Sequence, residues 1–216
     1  MKRREFSMAA SAAAAGALTL GASSSWAQGA APKEGKDYIK LGKPASVSAP
    51  AGKVEVIEFF WYSCPHCNAF EPQFEAWVKS QPADVVVQRV PVAFNASFVP
   101  QQKLYFTLEG MNLLPQLHAK VFRAIHVERI LLKTDDAIFE LVGKQGVDLA
   151  KFKTVYNSFT VNNQVRKASQ LQNEYDVEGV PAMGVAGRYY TDGTKAGNME
   201  NVLRVVNALV ASSRKA

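Results

Sequence analysis

Seven residues, Val54-Glu55-Val56-Ile57-Glu58-Phe59-Phe60, run almost directly into Cys64-Pro65-His66-Cys67, which holds both cysteines of the chain. The first stretch is apolar and β-prone enough for a central strand. Pro65 suits the first position of a helix, where its missing N–H leaves nothing unpaired, so a helix is expected from Pro65 to about Lys79, kinked at Pro72. Asp84 to Val92 then reads as a second strand. Strand, helix and strand at this spacing predict a parallel βαβ unit with a right-handed crossover. Both sulfurs therefore belong at a strand-to-helix turn.

A disulfide between Cys64 and Cys67 would close so short a loop that it restrains little of the unfolded chain. Chemistry is the better reason for the pair. Free N–H groups and the helix dipole favour negative charge at a helix start, which stabilises a thiolate on Cys64. Cys67, one turn further in, is expected to be the more buried sulfur, poised to attack a mixed disulfide on the exposed Cys64. His66 can direct a hydrogen bond or a positive charge at that thiolate, favouring the dithiol and so making the disulfide an electron acceptor. His118 and His126 read as surface or partly buried helix residues remote from the pair. A structural zinc site wants four ligands, and no further cysteine is present to complete one. Copper(I) held by the two sulfurs alone stays chemically open. No resident metal and no organic cofactor are expected.

The start of the chain reads as an export signal: Met1-Lys2-Arg3-Arg4 is cationic, and an Ala/Gly/Leu run follows from Met8 to Gly21. Ser25 and Ala27 suggest cleavage after Ala27, and the run is too weakly apolar for a stable membrane span. Arg3-Arg4-Glu5-Phe6 resembles a twin-arginine signal, which leaves the Sec and twin-arginine routes both open. Lys2, Arg3, Arg4 and Glu5 account for part of the net charge of +6, and no dense Lys/Arg stripe interleaved with aromatics remains to suggest nucleic acid.

Residues 28–53 are rich in Gly, Pro, Ser and Lys and read as an extended arm leading into the domain. From 96 to 168 the pattern turns helical, with stripes such as Leu117, Val121, Ala124 and Ile125, then Ile138, Leu141 and Val142 after the capping candidate Thr134. A further helix is expected near Asp148, with Phe152, Val155 and Tyr156 on its inner face. β character returns from Ala182 to Tyr190, and Tyr190-Thr191-Asp192-Gly193 offers turn chemistry. Asn198 should cap a last helix that buries Met199, Val202, Leu203, Val206 and Leu209. This order predicts an α/β fold: a domain in two parts, residues 54–95 and 169–216, with a helical insertion between them.

Phe59-Phe60-Trp61-Tyr62-Ser63-Cys64-Pro65-His66-Cys67, the later Gly179-Val180-Pro181-Ala182-Met183 and the helices between them resemble the DsbA family over nearly the whole of the chain after residue 27. The resemblance implies a thioredoxin fold with an inserted helical domain, and a periplasmic oxidase acting on reduced, unfolded exported proteins. It also implies reoxidation by a DsbB-like membrane quinone reductase; a monomer is expected. Pro181 matches the family's cis-proline, with Val180 before it, and the pair would offer backbone groups to substrate beside Cys64. By sequence alone a trans proline opening a strand is an equal alternative. Glu58 matches the family's buried acidic residue, which could relay protons for Cys67; an exposed strand glutamate is the other reading.

Overall fold

The computed structural model describes residues 31–214, so the expected signal segment at 1–27 lies outside the described residues. Strands β1 (Ile39–Lys40), β2 (Val54–Phe60), β3 (Val85–Pro91), β4 (Ala182–Val185) and β5 (Tyr189–Asp192) form one sheet in the order β1-β5-β4-β2-β3. Among these strands only β2 and β3 run parallel, in register from Val54 opposite Val85 to Phe60 opposite Pro91. Every residue of β2 is buried, as a strand covered on both faces requires. Val54 and Val56 pack with Phe70 and Phe74 of helix α1 (Pro65–Lys79) and with Val202 and Val206 of helix α8 (Met199–Ser213). Ile57 and Phe59 face the opposite way, into a core shared with the helical block.

That block lies between β3 and β4. After a short 3-10 turn at Ala96–Phe98 come α2 (Val99–Gly110), α3 (Leu114–His126), α4 (Asp135–Lys144), α5 (Leu149–Tyr156) and α6 (Phe159–Glu174). Thr134, Asp148 and Ser158 each accept a backbone N–H from three residues on, which satisfies one orphan donor at the start of α4, α5 and α6. Position 168, the expected end of the insertion, falls inside α6. Helix α2 touches α3, α4, α5 and α6 and buries every residue from Gln101 to Leu108 except Lys103, so it carries no one-sided apolar stripe.

The chain reversal before the last helices is not where turn composition points. Ala186 and Gly187, both with positive φ (52° and 65°), make a hairpin turn between β4 and β5. Tyr190, Thr191 and Asp192 instead belong to β5, and Asp192 Oδ1 accepts from Lys195 N at 2.8 Å to cap the short helix α7 (Gly193–Ala196). Asp-Gly misleads because helix caps and turns use the same side-chain chemistry. The arm also does more than lead in: Ile39 and Lys40 pair antiparallel with Tyr190 and Tyr189 as the edge strand β1.

Gly184 in β4 sits against the ring of Tyr175, which closes the sheet from the α6 side. A Cβ there would come within 2.4 Å of Tyr175 Cε1. Gly184→Ala is expected to lower stability by about 1–3 kcal/mol in urea unfolding, the usual cost of overpacking. Gly42→Ala, which meets nothing within 4 Å, should leave the midpoint unchanged.

Candidate active site

β2 delivers the chain into a turn, Trp61 to Cys64, closed by the Cys64 N–H on Trp61 O at 3.0 Å. Cys64 is then the N-cap of α1, with Pro65 in the first helical turn as expected; its Sγ accepts from Cys67 N at 3.4 Å. A sulfur thus takes the place that a Ser or Asp oxygen ordinarily fills. Both thiols are free. Cys67 is fully buried, and Cys64 is only 7% exposed, so the sulfur expected to be exposed is largely covered. What covers it is the loop before β4: the Val180–Pro181 peptide is cis, and Val180 O lies 3.3 Å from Cys64 Sγ. Pro65 and His66 are exposed. His66, Val180, Pro181, Thr194 and Met199 line a cleft of about 430 Å³.

The two cysteines are driven apart in acidity. A hydrogen bond from the Cys67 side chain is the largest influence that pulls the Cys64 thiol down, to about 6, against the opposing effect of burial. The backbone N–H groups of Cys67 and His66 add to it, and the charge of His66 contributes least of these. His66, expected to supply the electrostatic push, is therefore a minor partner to the second sulfur and the helix start. Burial pushes the Cys67 thiol far up, and its hydrogen bond to Cys64 pushes it further. At neutral pH the pair is one thiolate and one thiol.

Behind the sulfurs lies a buried charge cluster. Glu58, 1% exposed on β2, faces Arg89 across the parallel ladder, with Oε2 3.1 Å from Arg89 Nε. The same guanidinium bonds Glu71 at 2.8 Å and Glu75, both on α1, and its carbon lies 4.9 Å from the centre of the Phe74 ring. Burial pushes the Glu58 carboxyl up to about 8 although Arg89 opposes this. Glu58 is thus an interior group, and the exposed-strand alternative is discarded.

His118 departs from expectation. It is 7% exposed, its Nδ1 lies 2.8 Å from Tyr62 Oη, and its Nε2 lies 3.4 Å from Glu71 Oε1. His126 Nε2–H donates to Tyr62 O at 2.8 Å. Helix α3 thus brings two histidines of the insertion onto the turn that precedes Cys64. Sequence reasoning also misses Arg89, Glu71 and Gln101. Arg89 does leave a signal: a lone cation inside Val85-Val86-Val87-Gln88-Arg89-Val90 needs a buried partner. Among the described residues no group of three or more His, Cys, Asp or Glu side chains is placed to hold a metal ion.

Neighbouring sulfurs of opposite acidity are what thiol–disulfide exchange requires, because one must leave readily and the other must capture. On a sheet with this parallel β2–α1–β3 unit and antiparallel return through β4, that makes the protein a dithiol oxidoreductase of the thioredoxin fold. Its relatives narrow the class. Residues 88–204 match the family model described as a DSBA-like thioredoxin domain. The chain is 46% identical over 216 residues, all of both chains, to the thiol:disulfide interchange protein DsbA of Bordetella pertussis. It is 41% identical to the DsbA of Pseudomonas aeruginosa over 84% of this chain and 86% of that one. The crystal structure of Pseudomonas aeruginosa DsbA superposes with a TM-score of 0.80 at 41% identity, covering 84% of this chain and 94% of that one. The oxidoreductase DsbA from Xylella fastidiosa gives 0.80 at 28% identity, with 86% and 99% covered. The chain belongs to the DsbA family and is a protein thiol:disulfide oxidoreductase.

The acidity of Cys64 ties redox state to stability. Its folded-state value lies below the ordinary 9.0, so the stabilisation of the reduced protein is fully present above that ordinary value and is lost as pH falls through about 6. The oxidised protein has no such thiol to titrate. Reduced minus oxidised stability, from paired urea curves, is expected to grow from pH 6 to pH 9 by up to about 3 kcal/mol, each tenfold difference in proton affinity between folded and unfolded chain being worth ~1.4 kcal/mol. A flat difference across that window would contradict the assigned acidity.

Proposed function

We propose that the protein is an oxidase that donates the Cys64–Cys67 disulfide to reduced, unfolded exported proteins. The observation that carries this is the stabilised Cys64 thiolate, since whatever favours the dithiol makes the disulfide a stronger oxidant. A substrate thiolate attacks Cys64 Sγ, a substrate–Cys64 bond forms, and the Cys64–Cys67 bond breaks. Cys67 leaves as a thiolate and takes a proton, which its buried position strongly favours. Glu58 is the group that supplies it, because a carboxyl held up at about 8 still carries its proton at neutral pH. A second substrate thiolate then attacks the substrate sulfur joined to Cys64. The substrate disulfide forms, Cys64 departs as the stable thiolate, and two electrons remain on the enzyme.

Val180 and Pro181 supply the backbone edge on which an extended substrate segment lies beside Cys64. Pro65 and His66 shape the exposed rim around the sulfur. The two electrons pass on to a DsbB-like membrane quinone reductase, and the protein works in the periplasm after removal of residues 1–27. None of the described helices is long and apolar enough to cross a membrane. The nearest alternative is a reductase or isomerase on the same fold, which would keep the pair reduced in the cell; a copper(I) carrier is the alternative of another class.

The redox equilibrium with glutathione decides the direction: a potential well above that of a thioredoxin-type reductase is expected, and a value near thioredoxin would overturn the reading. Roles are tested by trapping. Cys67→Ser should accumulate mixed disulfides through Cys64 with reduced client proteins, and Cys64→Ser should accumulate none. Mixed disulfides on the wrong variant would reverse the assignment of the two sulfurs.

A further inference from the structure

Cys64 is presented by a four-residue turn whose two central residues are held from outside the sheet. Tyr62 is gripped through its hydroxyl by His118 and through its carbonyl by His126. Ser63, the residue immediately before the reactive sulfur, is gripped by a single side chain of α2. Gln101 Oε1 accepts the Ser63 backbone N–H at 3.2 Å, and Gln101 Nε2 donates to Ser63 Oγ at 2.7 Å and to Leu132 O at 3.1 Å. The amide orientation follows from these partners, since the reverse would set oxygen against the Leu132 carbonyl and N–H against the Ser63 N–H. Gln101 is 2% exposed, and both its N–H donors are spent in this one clamp.

We propose that Gln101 is a positioning residue for the exchange reaction, fixing the turn that aims Cys64 Sγ at its partners on α1 and on the Val180–Pro181 loop. The inference rests on Cys64 being the attacked sulfur. The Cys64 thiolate depends on a long contact, 3.4 Å from Cys67 N, while Val180 O, 3.3 Å away, can accept only from the protonated sulfur. Contacts of that length weaken steeply with small displacements. Ser63 has no freedom to drift while its N–H and hydroxyl are both engaged, and Leu132 O ties the clamp to the α3–α4 connection. The helical insertion thereby acts on the sulfur through the turn that carries it. An apolar side chain of the same length would fill the space and leave Ser63 without its side-chain clamp.

The test compares Gln101→Met, Ser63→Ala and Ile138→Ala in the full mature protein. Ile138 is fully buried in α4 and takes no part in the hydrogen bonds that hold the turn, so its variant reports loss of packing alone. The readouts are the ultraviolet titration of the Cys64 thiolate in the reduced protein and the rate at which the oxidised protein accepts a reduced peptide. Gln101→Met should move the Cys64 midpoint up by about half a pH unit or more and slow exchange about threefold or more. Ser63→Ala should move it less in the same direction, and the double variant by less than the sum of the two. Ile138→Ala should lower the urea midpoint and leave the Cys64 titration unmoved. If Gln101→Met loses stability but titrates like the parent, the clamp is merely structural and the proposal falls. Should Gln101→Met fail to fold, an unchanged titration in Ser63→Ala overturns it equally. Failure of the parent protein to oxidise reduced substrates, with the titration changes intact, would overturn the oxidase reading and leave the positioning role standing.

Discussion

One sulfur atom organises the site. Sγ of Cys64 caps α1, takes the Cys67 N–H and sits against the carbonyl of Val180, so a helix start and a loop from the other half of the domain converge on it. The carbonyl only places the sulfur; the hydrogen bond from the Cys67 side chain, followed by the backbone N–H groups of Cys67 and His66, decides which of two chemically identical thiols ionises. Moving away from the cap by one helical turn reverses the outcome, because burial and its own hydrogen bond to Cys64 keep the proton on Cys67. The asymmetry between the cysteines is a property of position along a helix.

Behind that cap, the fold accepts an expensive arrangement. A guanidinium with carboxylates around it, in contact with an aromatic face, joins β2, β3 and α1, and His118 extends the cluster to α3. Removing one member of such a cluster leaves an uncompensated charge, so its members are interdependent in a way that apolar neighbours are not. Within the cluster, burial holds the Glu58 carboxyl up at about 8 although Arg89 opposes it. The insertion, far from being an appendage, supplies the groups that hold the turn and close the cluster.

The elements legible in the sequence are those with strong local signals. β2 is a continuous β-prone run, α1 begins at a proline, and α8 has both a cap at Asn198 and a one-sided apolar stripe. Turn placement fails because Ala186 adopts a left-handed conformation that its identity does not announce, while Asp192-Gly193 announces a turn and serves as a helix cap. Helix α2 has no stripe to read, since it is buried on several sides. Around the sulfurs, Cys64, Pro65, His66 and Cys67 stand out by their spacing, and Glu58, Val180 and Pro181 by their match to the DsbA family. Glu71, Gln101 and His118 cannot, because what gives each its place is a partner distant in the chain, and Arg89 leaves only the signal of a lone cation in an apolar strand.

The sequence by itself determined the chemistry available and the local frame for it: two sulfurs three residues apart, at the start of a helix that follows a buried strand. Local rules reach that far because capping, helix dipole and strand propensity act over a few residues. Tertiary structure decided how far the acidities of the two sulfurs are driven apart, that the Val180–Pro181 peptide is cis and lies against Cys64, and that His66 is the lesser influence on its charge. It also decided that the insertion grips the turn. Desolvation and long-range hydrogen bonds set these, and both exist only once distant segments have packed together.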